Sequence, residues 1–585
     1  MKNVILRKIF AFLLVLAVIF SYGCTGGSTA HTHNFNKKAS KDEYLKEAAD
    51  CTHGSIYYYS CECGEKGDKT YDNLVTAACD FTAKTQNEKY LKQEATCQKG
   101  AEYYMSCSVC GKASTLSTFF SNELGEHSYV CEQPDGKFIK EEATETASAV
   151  YYKSCACGEI GEETFVFGEP LREYSYQEKL DYTPTSLTVS LYDTENSVYG
   201  FTYNTLAQPL RPVIQISETT DFSNATEYPA HTEKYSTITK EQGGSFTYYY
   251  IVKAEIALEA GKTYYYKAYD KYVKVGSRSG MLTAKDLSSD KFTFAHVSDS
   301  QSSDNSGLAF GKVLASVTNT CDFVVHTGDV VENSLYEEQW TNMLHANFEY
   351  LSKIPVMAIS GNHETTYKNG SYETVKHFNN KMPDQDAMLG YYYSFTYGNA
   401  KFIMLNTNKL NGNQLTNEQY AWLISELEGN SAKWTFVAMH NPMYSAGTYG
   451  SNPERNQISL ALRSQLHDIF VKYGVDVVLQ GHDHLISKTY PLGVGGGATE
   501  ENLQKIDGID YSVSPEGVIY VMSGTAGEQT RTVYQNNSLL YNLALDSQKS
   551  SWSEFSIDGD TLTVTVKTAK NGNPTEIYKW GVKKN

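Results

Sequence analysis

Five short polar blocks, each closing an apolar run, constrain this chain more than any other feature. They are VSDSQ at 297–301, HTGD at 326–329, GNHE at 361–364, MHNP at 439–442 and GHDH at 481–484. The runs before them, 292–297, 323–325, 354–359, 434–438 and 475–479, are short and rich in β-branched and aromatic residues, as buried strands are. Helical spacing appears between them at 308–317, 336–351, 417–427 and 459–473, and Thr416 with Gln419 predicts a capping box for the third. Strands alternating with helices predict a layered α/β fold, in which residues at the carboxyl ends of strands form the site. All five blocks stand at such ends.

Length requires more than this one fold, because 585 residues exceed what a single core supports. A net charge of −18, from 50 Lys+Arg against 68 Asp+Glu, disfavours binding to a nucleic-acid backbone. Small anionic substrates stay open where a metal reverses the local sign. At the start, Lys2, Arg7 and Lys8 precede an apolar run at 9–20 that is too short to span a bilayer, which predicts an export signal over 1–23. Ser21-Tyr22-Gly23-Cys24 resembles a bacterial lipoprotein cleavage box with Cys24 as the lipidated residue, although Ser21 stands where an aliphatic residue is usual. The expected location is the bacterial cell surface, with the membrane reached through that lipid. Oligomeric state is not legible.

Residues 31–168 repeat themselves three times, over about 31–76, 77–124 and 125–168. Tyr44-Leu45-Lys46, Tyr90-Leu91-Lys92 and Phe138-Ile139-Lys140 are 46 and 48 residues apart, and Cys61, Cys107 and Cys155 keep the same offsets. Ten of the 12 cysteines lie here. Export makes disulfides the default. Yet one position is His33, then Cys79, then His127, an exchange that a zinc ligand tolerates and a disulfide does not. Structural zinc is therefore favoured over disulfides. The expected sets are His33, Cys51, Cys61 and Cys63 in repeat one, and Cys79, Cys97, Cys107 and Cys110 in repeat two. In repeat three Glu145 stands where Cys51 and Cys97 do, so Cys131 is expected to compensate beside His127, Cys155 and Cys157. Units this short need a staple of one kind or the other. Their pattern resembles short Cys/His repeats of bacterial surface proteins.

After a linker at 159–182, alternating runs such as 187–191, 198–203, 248–252 and 263–267 predict an all-β sandwich over 180–287, of fibronectin type III size. The 46 Tyr, against 24 Phe, suit such strand faces. At the far end the run 517–522 and a hairpin around Asp558-Gly559-Asp560 belong with the α/β domain, which extends over 291–585.

The five blocks combine carboxylates, imidazoles and an amide. Such a set offers two adjacent cation positions without piling negative charge beside an anionic substrate. Two cations about 3.5–4 Å apart can generate hydroxide and clamp an in-line phosphoryl displacement. Singly, Gly-Asp and Gly-Asn are common turn pairs and a histidine at a strand end is ordinary, but five blocks in one order are not. His296 and His326 read as core or supporting residues, Cys321 as a small buried hydrophobe, and Tyr444 as able to line the pocket. The glycines at 493–497 precede no helix, so they form no P-loop.

The order DSQ, GDVVE, GNHE, MHNPMY, GHDH resembles the calcineurin-like metallophosphoesterase superfamily, and the sandwich ahead of it points to the purple acid phosphatase-like branch. The resemblance implies a four-layer α/β domain with two packed mixed sheets and two metal ions, iron, zinc or manganese. It implies Asp299 and His484 on the first metal, Asp329 as the bridge, Asn362, His440 and His482 on the second, and His363 as the catalytic group facing substrate. Gln301 stands where many members have a histidine ligand, and either ligates through its amide oxygen or touches substrate. Glu332 replaces the tyrosine ligand of purple acid phosphatases, so the purple iron–tyrosinate centre is not expected. The activity implied is hydrolysis of a small phosphate ester, a monoester first. A phosphodiesterase or nucleotidase shares every metal residue, and a non-catalytic surface adhesion protein retaining the fold is the remaining alternative.

Overall fold

The computed structural model describes residues 32–238, 246–302, 306–365, 372–383, 391–408, 410–452, 454–534, 540–546, 548–569 and 573–585. The expected export signal and Cys24 lie outside these residues. Two compact units are formed, Met1–His127 and Ser128–Asn585.

The first unit holds two three-stranded antiparallel sheets. One is Leu45–Glu47, Gly54–Ser60 and Lys66–Thr76; the other is Leu91–Gln93, Glu102–Ser106 and Ala113–Phe120. The sequence offset reappears as register: Leu45 pairs with Tyr57 as Leu91 does with Tyr103, and Lys37 bridges Ser60 as Ala83 does Ser106. Each sheet carries a tyrosine, Tyr44 or Tyr90, whose hydroxyl donates to the carbonyl of Gly64 (3.0 Å) or Gly111 (2.8 Å).

Three of the four donors expected in each of the first two repeats gather, His33 with Cys61 and Cys63 and Cys79 with Cys107 and Cys110, but the fourth does not join its own set. Cys51 gathers with Cys79, Cys107 and Cys110 of the next repeat, so it leaves repeat one's set, and Cys97 is absent from repeat two's. Cys61 and Cys63 are joined in a disulfide, with His33 Nδ1 3.3 Å from Cys63 Sγ. Sequence offsets locate the donors but do not say which loop of which neighbour each one meets.

In the second unit the third repeat builds the same sheet from Ile139–Glu141, Ala149–Ser154 and Ile160–Phe167. Residues 160–167 are thus a strand, and 176–181 a helix (Tyr176–Asp181) with a Ser175/Glu178 capping box, where a linker was expected. Cys131 bridges Ser154 at the position of Lys37 and Ala83, a backbone pairing position that the other repeats fill with non-ligands. That register removes the argument for Cys131 as a compensating ligand. Phe138, Ala143, Ala149 and Tyr151 cluster against Tyr272, which lies in a turn at 271–274, and Glu142 pairs with Arg211 at 3.0 Å.

Two sheets follow. Thr185–Asp193, Val198–Thr205, Phe246–Ala257 and His231–Ile238 form one; Thr226–Pro229, Pro212–Ser217, Thr263–Asp270, Val275–Gly276 and Gly280–Thr283 form the other. Along Thr263–Asp270 burial alternates, which places Tyr264, Tyr266 and Ala268 inside. The core of these sheets runs on into the α/β domain without a break: Phe201 and Tyr266 belong to the same buried cluster as Phe294, Phe323 and Met357. Buried Glu337 accepts from Asn204 Nδ2 (3.0 Å) and Tyr235 Oη (2.9 Å) across that junction.

The α/β domain is two mixed sheets. Eight strands run in the order Val356–Ala358, Phe323–His326, Lys291–Val297, Ser551–Asp558, Thr561–Thr568, Thr575–Lys583, Ile509–Val513, Leu503–Ile506. Seven run Tyr393–Tyr397, Ala400–Met404, Trp434–Met439, Val477–Gln480, Ile519–Ser523, Ile486–Thr489, Tyr541–Leu545. The helix expected over 336–351 is broken into Glu337–Ala346 and Phe348–Leu351, because the Asn347 amide takes the carbonyls of Met343 (2.8 Å) and Gly307 (3.0 Å). Thr416 caps Asn417–Glu428 through the Gln419 N–H, but the Gln419 side chain turns to the backbone of Asn406, so only half of the box forms.

Candidate metal centre

Parallel pairing aligns the strand ends that carry the blocks. Phe323–His326 lies between and parallel to Lys291–Val297 and Val356–Ala358; Trp434–Met439 and Val477–Gln480 are parallel neighbours in the second sheet. At the turns leaving these strands Asp299, Asp329, His482 and His484 all adopt positive φ, between 53° and 73°. Left-handed backbone at four non-glycine residues costs energy and persists only where the surroundings enforce it, which is a mark of functional sites. Glycines make room for the approach of the loops. A Cβ at Gly361 would collide with the Asp329 carboxylate, and one at Gly328, whose φ is +93°, with the backbone of Gly361.

His440 organises one half of the centre. Its Nδ1 donates to the Thr327 carbonyl at 2.8 Å, so in the neutral ring Nε2 carries a lone pair. That lone pair faces Asn362 Oδ1 at 3.0 Å, Asp329 Oδ2 at 3.2 Å and His482 Nδ1 at 3.2 Å. The other half repeats the device: His484 Nδ1 donates to the Gln529 carbonyl (2.7 Å) while Nε2 stands 3.2 Å from Asp299 Oδ1. Acceptors crowded in this way need positive charge among them. Burial alone would lower His440, but the Asp329 carboxylate raises it to about 9, and His484 is likewise raised by Asp299 against burial. Burial and the charge on His440 push His482 down to about 3. Asp299 and Asp329 stay below the ordinary carboxylate range, burial being outweighed by His484 at the first and His440 at the second. A cation would supply the same charge while leaving the imidazoles neutral, so the donor set fits metal ions.

Gln301 is 1% exposed, and its amide oxygen has no hydrogen-bond partner among the described residues. An orphaned buried acceptor beside this cluster suits a cation ligand. His363 is half-buried; its backbone N–H donates to Asp329 Oδ1 (2.9 Å) and its Nδ1 to the Glu332 carbonyl (2.6 Å). The Glu332 carboxylate accepts from Gln529 Nε2 at 2.7 Å.

Several residues here carry no motif of their own. Glu364, the last letter of GNHE, is fully buried and accepts from the N–H groups of Gly361 (2.7 Å), Asp329 (2.8 Å) and Val330 (2.8 Å), which binds the two loops together. Its sequence neighbours Asn362, His363 and Thr365 are polar, so nothing in the sequence marks it as buried. Gln529 serves His484 and Glu332 at once, and Thr525 Oγ1 donates to the Asp299 carbonyl (2.7 Å). Tyr449 packs on His482 with ring centroids 4.0 Å apart, and Arg531 stands 3.6 Å from Asp483. Tyr444, expected at the pocket, is buried between Tyr520 and Arg463 instead. His296 and His326 are buried and paired with the hydroxyls of Ser523 and Ser300, and Cys321 is buried in the core.

Residues 292–485 match the calcineurin-like phosphoesterase family model. Human acid phosphatase type 7 is 26% identical over 232 residues, 36% of this chain and 49% of that protein. Purple acid phosphatase 23 of Arabidopsis thaliana is 27% identical over 199 residues, 33% of this chain and 38% of that protein. This chain therefore spans about half or less of the length of these two relatives. In fold it is similar to a purple acid phosphatase from yellow lupin seeds, with a TM-score of 0.57 at 15% identity over 75% of this chain and 80% of that one. The ordered blocks, the paired mixed sheets and these likenesses agree that the chain contains a calcineurin-like phosphoesterase domain, with purple acid phosphatases among its relatives.

Proposed function

We propose that the chain is an exported, cell-surface metal-dependent phosphoesterase, acid phosphatase-like, acting first on small phosphate monoesters. The observation that carries this reading is His440, whose Nδ1 is committed to Thr327 while Nε2 faces three further acceptors. Asn362, His440 and His482 would hold one ion, Asp299, His484 and Gln301 the other, with Asp329 between them. When bound, the ions supply Lewis acidity toward a phosphoryl oxygen and acidify water. His363 keeps its Nδ1 on Glu332, so Nε2 is the nitrogen that would protonate the leaving oxygen. Arg531, over the ring of Tyr449 at 5.4 Å, adds positive charge on the His482 side, as an anionic substrate requires. The engagement of Glu332 with Gln529 supports a centre of non-purple type.

The test is turnover of an aryl phosphomonoester and the matching diester with iron, zinc or manganese, beside Asn362→Ala and His440→Ala. Monoester hydrolysis lost in both variants is expected. Preferred diester hydrolysis would transfer the reading to a phosphodiesterase or nucleotidase, and no hydrolysis with any metal would sink the enzyme and leave a surface binding protein. Export and anchoring rest on the basic-then-apolar start and Cys24. Metabolic labelling with a fatty acid, lost in Cys24→Ala, is the expected result; an unlabelled chain refutes the anchor.

A further inference from the structure

The four sulfurs of Cys51, Cys79, Cys107 and Cys110 lie within 4.8 Å of one another, and they come from two different repeats. Cys51 sits in the loop between the first two strands of repeat one. Cys79 precedes the sheet of repeat two, and Cys107 and Cys110 occupy its last turn. We propose that these four cysteines bind one zinc ion shared between consecutive repeats, so that the metal closes the junction and not either module.

Geometry and sequence both support a metal here. Zinc–thiolate bonds of about 2.3 Å in a tetrahedron place sulfurs roughly 3.8 Å apart. Cys51 and Cys107 are at 3.3 Å, and Cys79 and Cys110 at 3.6 Å. The backbone N–H groups of Val109 and Cys110 are directed at the Cys107 sulfur, as an anionic ligand requires. The donor loops are held in place by other bonds: Ala77 N–H to the Asp50 carbonyl (2.8 Å) ties the Cys51 loop to the exit of repeat one, and Asp80 accepts from Ser108 N–H (2.8 Å) beside Cys79 and Cys107. The rival state is a pair of disulfides, Cys51–Cys107 and Cys79–Cys110. Cys79 argues against it, because the equivalent position is histidine in the other repeats, His33 and His127.

Sharing also explains the anomaly of repeat three. Cys51, which repeat one lends to repeat two, corresponds to Glu145 in the last repeat, which is followed by no further repeat of this kind. A repeat with no successor has no use for that thiol.

The decisive experiment loads the full chain with Co²⁺ and reads the thiolate-to-cobalt charge-transfer absorption, to which the nitrogen and oxygen donors of the phosphoesterase centre do not contribute. Cys51→Ser and Cys110→Ser should each remove the same increment, and the double variant should remove no more than either alone. A double variant that loses twice as much would mean separate sites and overturn the proposal. In the unmodified chain Cys51 and Cys110 should resist alkylation together and become reactive at the same chelator concentration. Independent release of the two overturns sharing, and absence of free thiols at all four positions after chelation establishes disulfides instead. Phosphoesterase turnover should be unchanged in both single variants.

Discussion

Asp329, His440 and His482 are brought together by the ends of strands in sheets of seven and eight, and none is more than 8% exposed. Cys51, Cys79, Cys107 and Cys110 sit on loops of three-stranded sheets, with Cys110 exposed and Cys51 and Cys79 half-buried. In the first case a large apolar core, including fully buried Trp340, Trp434 and Trp552, holds the donors in place whether or not an ion is present. In the second the surrounding sheets bury few apolar side chains besides Tyr44, Tyr90, Ala101, Cys61 and Cys107. Repeats of this length cannot bury enough surface to stand alone. The third repeat makes the point from the other side: with the same sheet, it buries Phe138, Ala149 and Tyr151 in a cluster that Tyr272 from beyond the repeats joins. A metal or a neighbour's core serves the same end.

This contrast can be broken at several places. The largest effect is expected at His363→Ala, which should lower kcat by about 10²–10⁴-fold while leaving metal content, the unfolding transition and the cobalt–thiolate band unchanged; a parallel fall in stability would mean that the imidazole is structural. Trp340→Ala removes a fully buried ring stacked on His377 at 4.0 Å and 7°. It should cost about 3–5 kcal/mol in urea denaturation of the second unit and leave the cysteine site intact.

Lys488 tests how much cost the large core tolerates. Buried beside Trp580, it is pushed down to about 8 by desolvation. Its folded pKa lies below the unfolded value of about 10.4, so the unfolded chain binds more protons between the two and stability should rise from about pH 8 to about pH 10.4. The rise should reach about 3 kcal/mol and disappear in Lys488→Met; equal slopes in the two proteins would refute it. Smallest of all, Thr416→Ala removes the cap of Asn417–Glu428 and should cost about 1 kcal/mol in the same denaturation experiment.

The legible parts of the molecule were those in which one chain segment carries its own instruction. Strand, turn and donor are contiguous in GNHE and GHDH, so the α/β layers and every block of the centre could be placed from sequence. Glu364 and Gln529 could not, because their meaning lies in which backbone groups of a distant loop they reach. The same limit applied to the repeats. Periodicity located each cysteine, yet Cys51 meets its partners across a module boundary, and the only trace of that in the sequence is Glu145. Local competition explains the smaller departures: the Asn347 amide broke a helix, and the Gln419 amide left its capping box for Asn406.

The left-handed backbone at Asp299 and Asp329 has a practical side. Asparagine is among the few residues that occupy that region readily, and it matches aspartate in shape. Asp329→Asn would therefore delete a charge without disturbing the turn that presents it, whereas alanine would remove the charge and also the polar side chain that favours the turn. A chain altered in that one oxygen keeps the contour of its pocket but loses the charge expected to bridge the ions, which makes it the natural bait for capturing an uncleaved substrate from a mixture of phosphate esters.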